Sequence, residues 1–514
     1  MSVIPGAEAT SRRKLLQQRI PPRWGVFSAA VLSLLVGSFW LRATSPRRDQ
    51  PLQSAVRAAS VAVLPFVNTS PDVAEDYLGY GLAAELTQAL NEVSGLQVSP
   101  RTSAFAPRQI RGDPRIAGRR MGVATVLLGS VRRSDDRIRI TARLVDVEEG
   151  FDVWSEAYER EARELFDIEN EIRDAVARAL RIQIPTDSTA HPSPPASSFQ
   201  AYDAYLAGRY ELDRLSPGSN RRAIAHLTHA VRLDSTFARA HAALGEAYMR
   251  RGGVDAVSPL IAGPMAKAAV ARALELDSTL AEAHTTLGYI RFVFDRDWRG
   301  AETQFRRALA LKPGLPEVYP PYARFLLAMG RIDDSRALSE RALQLGPLSP
   351  ELTRHLGWHY LHARQYDRAR ETLQHAIALD SAAWLPHFDL ALLEMATGNH
   401  AAAESHLRVP LESFSHRSEV QAAQGQLHAV SGRNDEAEAV LQQLQSAGND
   451  RYVSPYLLAT VQAAVGQRTA AFASLNRAVK ERSELVAYLR IDLRVDTLRT
   501  DRRFPRLLRQ LRLP

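Results

Sequence analysis

Three histidines on one predicted helix have a spacing that could bind a metal ion. His355, His359 and His362 stand at positions i, i+4 and i+7, which aligns their imidazoles along one stripe of a helix. No glutamate follows in an HExxH order, and no carboxylate completes the stripe. Because histidines recur throughout this part of the chain, we interpret the three as residues of an ordinary helix surface and predict no metal site.

The stretch Gly79-x-Gly81-x-x-Ala84 opens a predicted helix and superficially matches a dinucleotide-binding fingerprint. In that motif the glycines let backbone amides approach a phosphate, and the motif follows a strand directly. Here a loop separates Phe66, at the end of the preceding strand, from Gly79, and no acidic partner for a ribose ends a suitable second strand. The sequence favours close packing at the start of a helix, and we predict no cofactor.

The familiar catalytic arrangements are missing from the sequence. No GxxxxGK[ST], GxSxG or kinase-type motif occurs, and none of the 514 residues is cysteine. The lack of cysteine excludes disulfides, thiolate nucleophiles and cysteine-ligated zinc. We therefore predict that the protein is not an enzyme and has no catalytic residues.

Length and composition indicate a multidomain, folded chain. At roughly 150 residues per domain, 514 residues correspond to about three or four domains. Hydrophobic residues make up 45% and charged residues 24%, which is ordinary for folded proteins. The 65 Lys+Arg and 57 Asp+Glu leave a net charge of +8, and they alternate along most of the chain. That pattern is typical of a salt-bridged helical surface, so we predict no nucleic-acid partner.

An uncharged segment near the start predicts a membrane anchor. Residues 24–41 carry no charge, are bracketed by Arg23 and Arg42, and span about 27 Å as a helix, enough for a hydrocarbon core. Trp24 and Trp40 lie at its two ends, where aromatic rings favour the headgroup region. We expect a transmembrane helix over 24–41 that contacts the lipid bilayer.

A cleaved export signal is the alternative for this N-terminus, because Arg12 and Arg13 begin a twin-arginine-like motif. That motif stands far from the apolar run, and no small-x-small cleavage site follows it, which favours an uncleaved anchor. Basic residues before the span slightly outnumber those after it, so residues 1–23 are expected to be cytoplasmic. The predicted location is the bacterial inner membrane, single-pass, with the bulk of the chain periplasmic.

After a linker over 42–58, residues 59–184 predict a small α/β domain. An apolar strand begins at Ser60, an amphipathic helix covers about 77–93, and a short strand and a short helix follow. The period then changes to that of strands, and three of them form a predicted meander over 123–131, 138–145 and 151–158. A last amphipathic helix is expected over about 162–182.

This region resembles the TolB-like N-terminal α/β domain found ahead of helical repeats in many bacterial proteins. The stretches that carry the resemblance are residues 61–68, 79–86, 101–103, 128–133 and 153–158. The resemblance implies a fold and an association with the cell envelope. It implies no catalytic residue.

A proline- and serine-rich linker over 185–198 leads into a chain segment that is helical throughout. Small residues recur there at spacings that settle at 34 residues; they are Ala207, Gly245, Gly288, Ala323, Gly357, Ala391, Gly425 and Ala459. Turn glycines follow seven positions later at Gly330, Gly398, Gly432 and Gly466. Residues 199–482 therefore resemble tetratricopeptide repeats (TPR), which stack into an all-α superhelical solenoid, with capping helices expected over 483–514.

Aromatic and arginine side chains on the first helices of the repeats are the candidate partner-binding residues. Tyr289, Arg324, Arg354, Trp358 and Phe388 stand at positions that face the groove in TPR proteins. A planar ring or guanidinium buries much area with few torsions to freeze, which suits a binding anchor. For Trp358 and Phe388, packing between neighbouring repeats stays open as an alternative.

The sequence thus predicts a non-enzymatic, membrane-anchored scaffold that binds protein or peptide partners through the concave face of a TPR superhelix. Two alternatives stay open. One is a sensor or regulatory subunit of a signalling system, since proteins of this kind carry kinase, cyclase or winged-helix domains that are absent here. The other is an envelope export or assembly factor. The oligomeric state is left open, and residues 199–514 are expected to fold alone because repeats contact their neighbours.

Overall fold

The computed structural model describes residues 59–72, 75–91, 93–100, 113–182, 198–214, 216, 218–254 and 256–513. These residues form a small α/β region followed by a long array of paired helices. The predicted segments 1–23, 24–41 and 42–58, and nearly all of the predicted linker 185–198, lie outside the described residues.

The membrane-anchored fold class and the inner-membrane, periplasmic location are corrected. Among the described residues, no helix is both long and apolar enough to cross a bilayer. Even the 18-residue helix Pro259–Leu276 carries three charged residues, Lys267, Arg272 and Glu275. The architecture that the structure supports is an α/β region joined to a helical solenoid.

One sheet forms the centre of the α/β region. Its strands are β1 (Ser60–Val63), β2 (Val67–Asn68), β3 (Gln97–Val98), β4 (Thr125–Ser134), β5 (Arg137–Asp146) and β6 (Asp152–Glu161). They lie in the order β3-β1-β4-β5-β6, with β2 beside β4. β1 runs parallel to β3 and β4, whereas β4, β5 and β6 form the antiparallel meander that the sequence predicts.

Helices cover both faces of this sheet. They are α1 (Asp76–Asn91), α2 (Pro114–Met121) and α3 (Leu165–Ala179). Val61 and Val63 of β1 belong to the core beneath α1 and α3, whereas Ala62 belongs to the smaller core beneath α2. This division follows from the period of two in a strand, which sends successive side chains to opposite faces.

The α/β region and the first repeat share one hydrophobic core. Leu206, on helix α4 (Phe199–Arg214), packs so closely on α1 that a Cβ at Gly81 would lie 3.0 Å from it. The Tyr202 hydroxyl of α4 donates to the buried carboxylate of Glu169 on α3, at 3.0 and 2.9 Å to its two oxygens. The two regions are therefore packed together as one body.

An ion pair crosses the same interface. Arg239 donates to both carboxylate oxygens of Glu85 on α1, at 2.6 and 2.8 Å, and to the side chain of Gln88 at 2.8 Å. The side chains of Arg239 and Glu85 are 22% and 11% exposed. Bidentate pairing of this kind holds both side chains in one geometry.

The solenoid consists of helix pairs that stack in chain order. After α4 come α5 (Ser219–Leu233), α6 (Ala238–Val254), α7 (Pro259–Leu276), α8 (Ala281–Ile290), α9 (Trp298–Leu311), α10 (Tyr319–Ala328), α11 (Ile332–Leu345), α12 (Pro350–His362), α13 (Tyr366–Leu379), α14 (Trp384–Ala396), α15 (His400–Phe414), α16 (Ser418–Val430), α17 (Asn434–Ala447), α18 (Pro455–Ala464) and α19 (Arg468–Lys480). The even-numbered members are the first helices of the pairs. Helix α20 (Arg503–Leu511) packs on α18 and α19 and caps the end.

The recurring small residues let paired helices approach closely. A Cβ at Gly357 on α12 would lie 2.7 Å from the Leu373 side chain on α13, so a larger residue would push the pair apart. The turns within the later pairs need a left-handed residue, a conformation that glycine adopts without a steric cost. Their φ angles are 78°, 79°, 77° and 80° at Gly330, Gly398, Gly432 and Gly466, as the sequence predicts.

The array also makes contacts between repeats that are far apart in sequence. Arg417 donates to the carbonyl oxygen of Gly253 at 2.9 Å, and Arg482 donates to that of Phe294 at 2.6 Å. Arg296 reaches the carbonyl oxygen of Val479 at 2.8 Å. Because these bonds join the second and third repeats to the last two, the superhelix closes on itself.

Candidate functional site: the groove face and the strap

The face lined by α8, α10, α12 and α14, which we call the groove face, carries a segment of the same chain. This segment, residues 484–498, is called the strap. It consists of the short 3-10 turns Glu484–Tyr488 and Leu493–Leu498 with an irregular link between them. The link reaches α12, where His362 is paired with the backbone oxygen of Ile491 at 3.3 Å. Arg364, beyond the end of α12, binds Asp496 at 2.8 Å.

Three of the five predicted partner-binding residues gather around Tyr488 of the strap. The Trp358 ring meets the Tyr488 ring edge to face, with centroids 5.8 Å apart. The Arg324 guanidinium lies over the Trp358 ring at 4.9 Å. Burial raises the pKa of Tyr289, and the nearby Tyr488 raises it further. Tyr289, Arg324 and Trp358 therefore form one cluster that already binds an aromatic side chain.

The other two predicted residues have different surroundings. Arg354 is buried and pairs with Asp389 on α14 at 2.6 Å, with the two side chains 9% and 6% exposed. Phe388 meets the Trp384 ring edge to face, with centroids 6.0 Å apart. Arg354 is thus paired with a carboxylate of the neighbouring repeat, and the Phe388 ring packs within α14.

Sequence reasoning missed the residues at the centre of this cluster. Phe292 is fully buried, and its ring lies 5.3 Å from both Phe325 and Tyr488 in edge-to-face contacts. It sits in a single π-helical turn, Arg291–Asp295, that continues α8. The available signal in the sequence was the apolar run that ends in Tyr488. A segment that only capped the end of the array would not need an aromatic residue at that position.

The three histidines of α12 turn to separate partners. His359 bonds to the Ser335 hydroxyl at 2.9 Å, His362 to the strap, and His355 approaches Glu351 at 3.6 Å. In the part of the chain that the structure describes, no three His, Asp or Glu side chains are grouped as a metal site. The shared stripe is used for packing and for these separate contacts.

We expect stability to fall in mild acid because of these histidines. Burial lowers the pKa of His359 and of His362 to about 4. In the unfolded chain a histidine binds its proton near pH 6.5, so between about pH 6.5 and 4 the unfolded state holds more protons than the folded state. The free energy of unfolding therefore decreases as the pH falls through this window, by at most about 1.4 kcal/mol per pH unit for each histidine.

Chemical denaturation at several pH values measures this dependence. His362→Gln is expected to make the decline shallower, whereas His226→Gln, at an exposed site of α5, is expected to keep the slope of the parent protein. An unchanged slope in His362→Gln would contradict the assignment.

The glycine motif at the start of α1 serves packing. A Cβ at Gly79 would lie 2.0 Å from the carbonyl oxygen of Phe66, and the Phe66 amide donates to the Gly79 carbonyl oxygen at 3.1 Å. Gly81 faces Leu206 of the first repeat. The two glycines thus allow contacts to a loop and to the solenoid, in agreement with the packing interpretation.

The helix pairs were compared with known protein families. The family described as tetratricopeptide repeat matches residues 323–383 and 388–452. The helix pairs in these two ranges are tetratricopeptide repeats. TPR solenoids bind protein or peptide partners, and the fold indicates a protein-interaction scaffold. The TolB-like character of residues 59–184 and the bacterial origin stay predictions.

One curated relative matches part of this chain. The "Putative adenylate cyclase 3" of Rhizobium meliloti (strain 1021) is 34% identical over 186 residues, which are 36% of this chain and 32% of the relative. The chain thus spans about a third of the length of that relative.

Solved structures of similar fold have low sequence identity. Pseudomonas aeruginosa pilF is 21% identical, with 42% of this chain and 92% of that chain covered and a TM-score of 0.32. The human IFIT1 dimer with PPP-AAAA is 17% identical, with 61% and 80% covered and a TM-score of 0.40.

Proposed function

We propose that this protein is a non-enzymatic scaffold that binds a protein or peptide partner on its groove face, with Tyr289, Arg324 and Trp358 as contacts. The observation that supports the proposal most directly is the strap. It is an irregular peptide segment, and it already lies on this face through an aromatic side chain. A partner segment that presents an aromatic residue in place of Tyr488 would meet the same rings and the same guanidinium.

The chemistry of the cluster suits recognition of such a segment. Trp358 and Arg324 are planar groups that bury area at little entropic cost, and binding energy concentrates on residues of these types. Both side chains are partly exposed even with the strap in place. The partner would therefore compete with the strap. In the free protein the strap occupies the groove face, and the partner displaces it on binding.

A synthetic peptide with the strap sequence, ELVAYLRIDLRVDTL, tests whether the face binds a peptide. In the full chain, Tyr488→Ala empties the aromatic position, and this variant is expected to bind the labelled peptide with measurable affinity by fluorescence anisotropy. Adding Trp358→Ala to Tyr488→Ala is expected to weaken binding by about 2 kcal/mol, or about 30-fold.

The matched control is Phe151→Ala, which removes an aromatic ring that is 56% exposed in the α/β region and distant in the chain from the groove face. Combined with Tyr488→Ala, it is expected to leave peptide affinity unchanged. The same variants are then used as baits for partners in a lysate. The proposal would be refuted if Trp358→Ala, added to Tyr488→Ala, changed neither peptide binding nor partner capture while the protein stayed folded.

A second candidate function is regulation within a signalling system. It is favoured by the relative named "Putative adenylate cyclase 3", which shares 186 residues with this chain. Under our proposal the purified full chain forms no cyclic AMP from ATP, and any regulatory output requires a separate protein. Cyclic AMP formation by the purified chain would overturn the non-enzymatic part of the proposal.

A further inference from the structure

A cavity lies where the two ends of the solenoid meet. It contains about 720 Å³ of space, part of which is open to solvent, between α6, α7 and the π-helical turn on one side and the start of α16, the start of α18 and the strap on the other. Apolar side chains form much of its wall, among them Met249, Phe294, Leu457 and Leu485. Two carboxylates, Glu419 and Glu484, also line it.

The two carboxylates point at the same small space. A methyl group on Gly253 would lie 3.4 Å from Oε1 of Glu419 and 3.5 Å from Oε1 of Glu484. Glu419 accepts a hydrogen bond from Arg417 at 3.4 Å. Glu484 makes no hydrogen bond or ion pair with any residue that the structure describes. Glu484 is therefore an acidic group without a hydrogen-bond donor among the described residues, and it interacts with Arg324 and Arg417 only at longer range.

The surrounding arginines donate to backbone carbonyl oxygens and make no hydrogen bond to Glu484. Arg417 donates to the Gly253 carbonyl oxygen, Arg482 donates to that of Phe294, and Arg451 donates to that of His416. Burial, followed by the neighbouring Glu419, raises the pKa of Glu484 to about 7, although the charges of Arg324 and Arg417 act to lower it. An acidic group held in this way gains most from a ligand that brings a positive charge.

We propose that this cavity binds a small organic cation, a primary amine on an apolar body, with the ammonium group at Glu484 and the body against Phe294 and Leu457. The ammonium supplies a cation in direct contact with the carboxylate and up to three hydrogen-bond donors. The apolar wall favours a body that leaves water. A bare divalent ion fits less well, because calcium takes six to eight oxygen ligands and magnesium about six, and this wall offers few.

The site shares the strap with the proposed partner site, because Glu484 and Tyr488 belong to the same short turn, so an occupant would favour the strap-bound state and link the two ends of the solenoid. Residues of α6, α7 and the π-helical turn form one wall, and residues more than 120 positions later form the other. A ligand that contacts both walls binds only the closed superhelix. It therefore stabilises that state by mass action.

Calorimetric titration of the full chain with phenethylamine tests the proposal, with phenethyl alcohol as the uncharged probe of the same shape. We expect saturable binding of the amine and a rise in Tm, and binding of the alcohol at least tenfold weaker. Glu484→Gln keeps the shape of the side chain, and it is expected to abolish the preference for the amine. Glu412→Gln, at a carboxylate that is 68% exposed on α15, is expected to bind like the parent protein.

Gly253→Ala provides a second variant that keeps every charge. The added methyl group occupies the space between the two carboxylates, so amine binding is expected to be lost while circular dichroism stays that of the parent. Equal affinity for amine and alcohol, full amine binding by folded Glu484→Gln protein, or saturable binding of magnesium or calcium chloride in place of the amine would each overturn the proposal. Absence of saturable amine binding at millimolar concentration would overturn it as well.

Discussion

Arg239→Met is expected to lower the free energy of unfolding by about 3–5 kcal/mol. Arg239 carries the positive charge of the ion pair that joins the first repeats to helix α1, and its partner Glu85 is only 11% exposed. Removing the guanidinium leaves the carboxylate buried without a cation, and it also removes the hydrogen bond to Gln88. Methionine keeps most of the length of the side chain, so the effect reports the charge and its hydrogen bonds.

Denaturant unfolding of the full chain measures this loss. The matched control is Arg137→Met, which breaks the pair with Glu159 between β5 and β6, where the side chains are 60% and 55% exposed. Its effect is expected to stay within about 0.5 kcal/mol. Adding Glu85→Gln to Arg239→Met removes the unpaired charge and is expected to restore part of the stability. If Arg239→Met and the control are equally mild, the interface does not hold the two regions together.

Arg354→Met is expected to have a comparable effect, again about 3–5 kcal/mol. The sequence predicts Arg354 as a binding anchor, but the structure gives it a buried pair with Asp389 of the next repeat. A binding anchor would lower partner capture and leave stability unchanged, whereas a buried pair lowers stability first. The two roles therefore give opposite patterns in the same variant.

A double-mutant cycle makes the test sharper. Asp389→Asn alone and Arg354→Met alone are each expected to destabilise, and the double variant is expected to cost less than the sum of the two, because each single change leaves one charge unpaired. Arg408→Met is the control, since its pair with Glu412 on α15 is 75% and 68% exposed. A stable Arg354→Met protein with reduced partner capture would return Arg354 to the groove.

The local features of this fold could be predicted from the sequence. The period of 34 residues places small residues such as Gly357 where paired helices touch, and turn glycines such as Gly330 where the backbone must be left-handed. Alternation along 137–146 likewise indicates a strand with one buried face. Each of these signals arises within one helix pair or one strand, where spacing along the chain determines spacing in space.

The contacts that make the candidate site could not be predicted in this way. Hydrophobic spacing shows that Tyr488 or Leu206 is buried, but it does not show which surface buries it. Tyr488 packs on Phe292 of an early repeat, and Leu206 packs on Gly81 of the α/β region. The expectation that residues 199–514 fold alone assumed neighbour-only contacts, whereas the shared core predicts that this fragment exposes Leu206 and Tyr202. The same limit applies to Arg354, because its spacing does not show that it pairs with Asp389 of the next repeat.

The closure of the superhelix has a consequence for the nascent chain. Phe294 is synthesised 188 residues before Arg482, whose guanidinium binds its carbonyl oxygen. At about 5–20 residues per second, that separation corresponds to roughly 10–40 s of translation. During this interval Phe292 has no Tyr488 ring to cover it, and the apolar inner surface of the early repeats is open to molecular chaperones. Ring closure is thus a late event in biosynthesis, because both faces of the contact exist only after Arg482 and Tyr488 have left the ribosome.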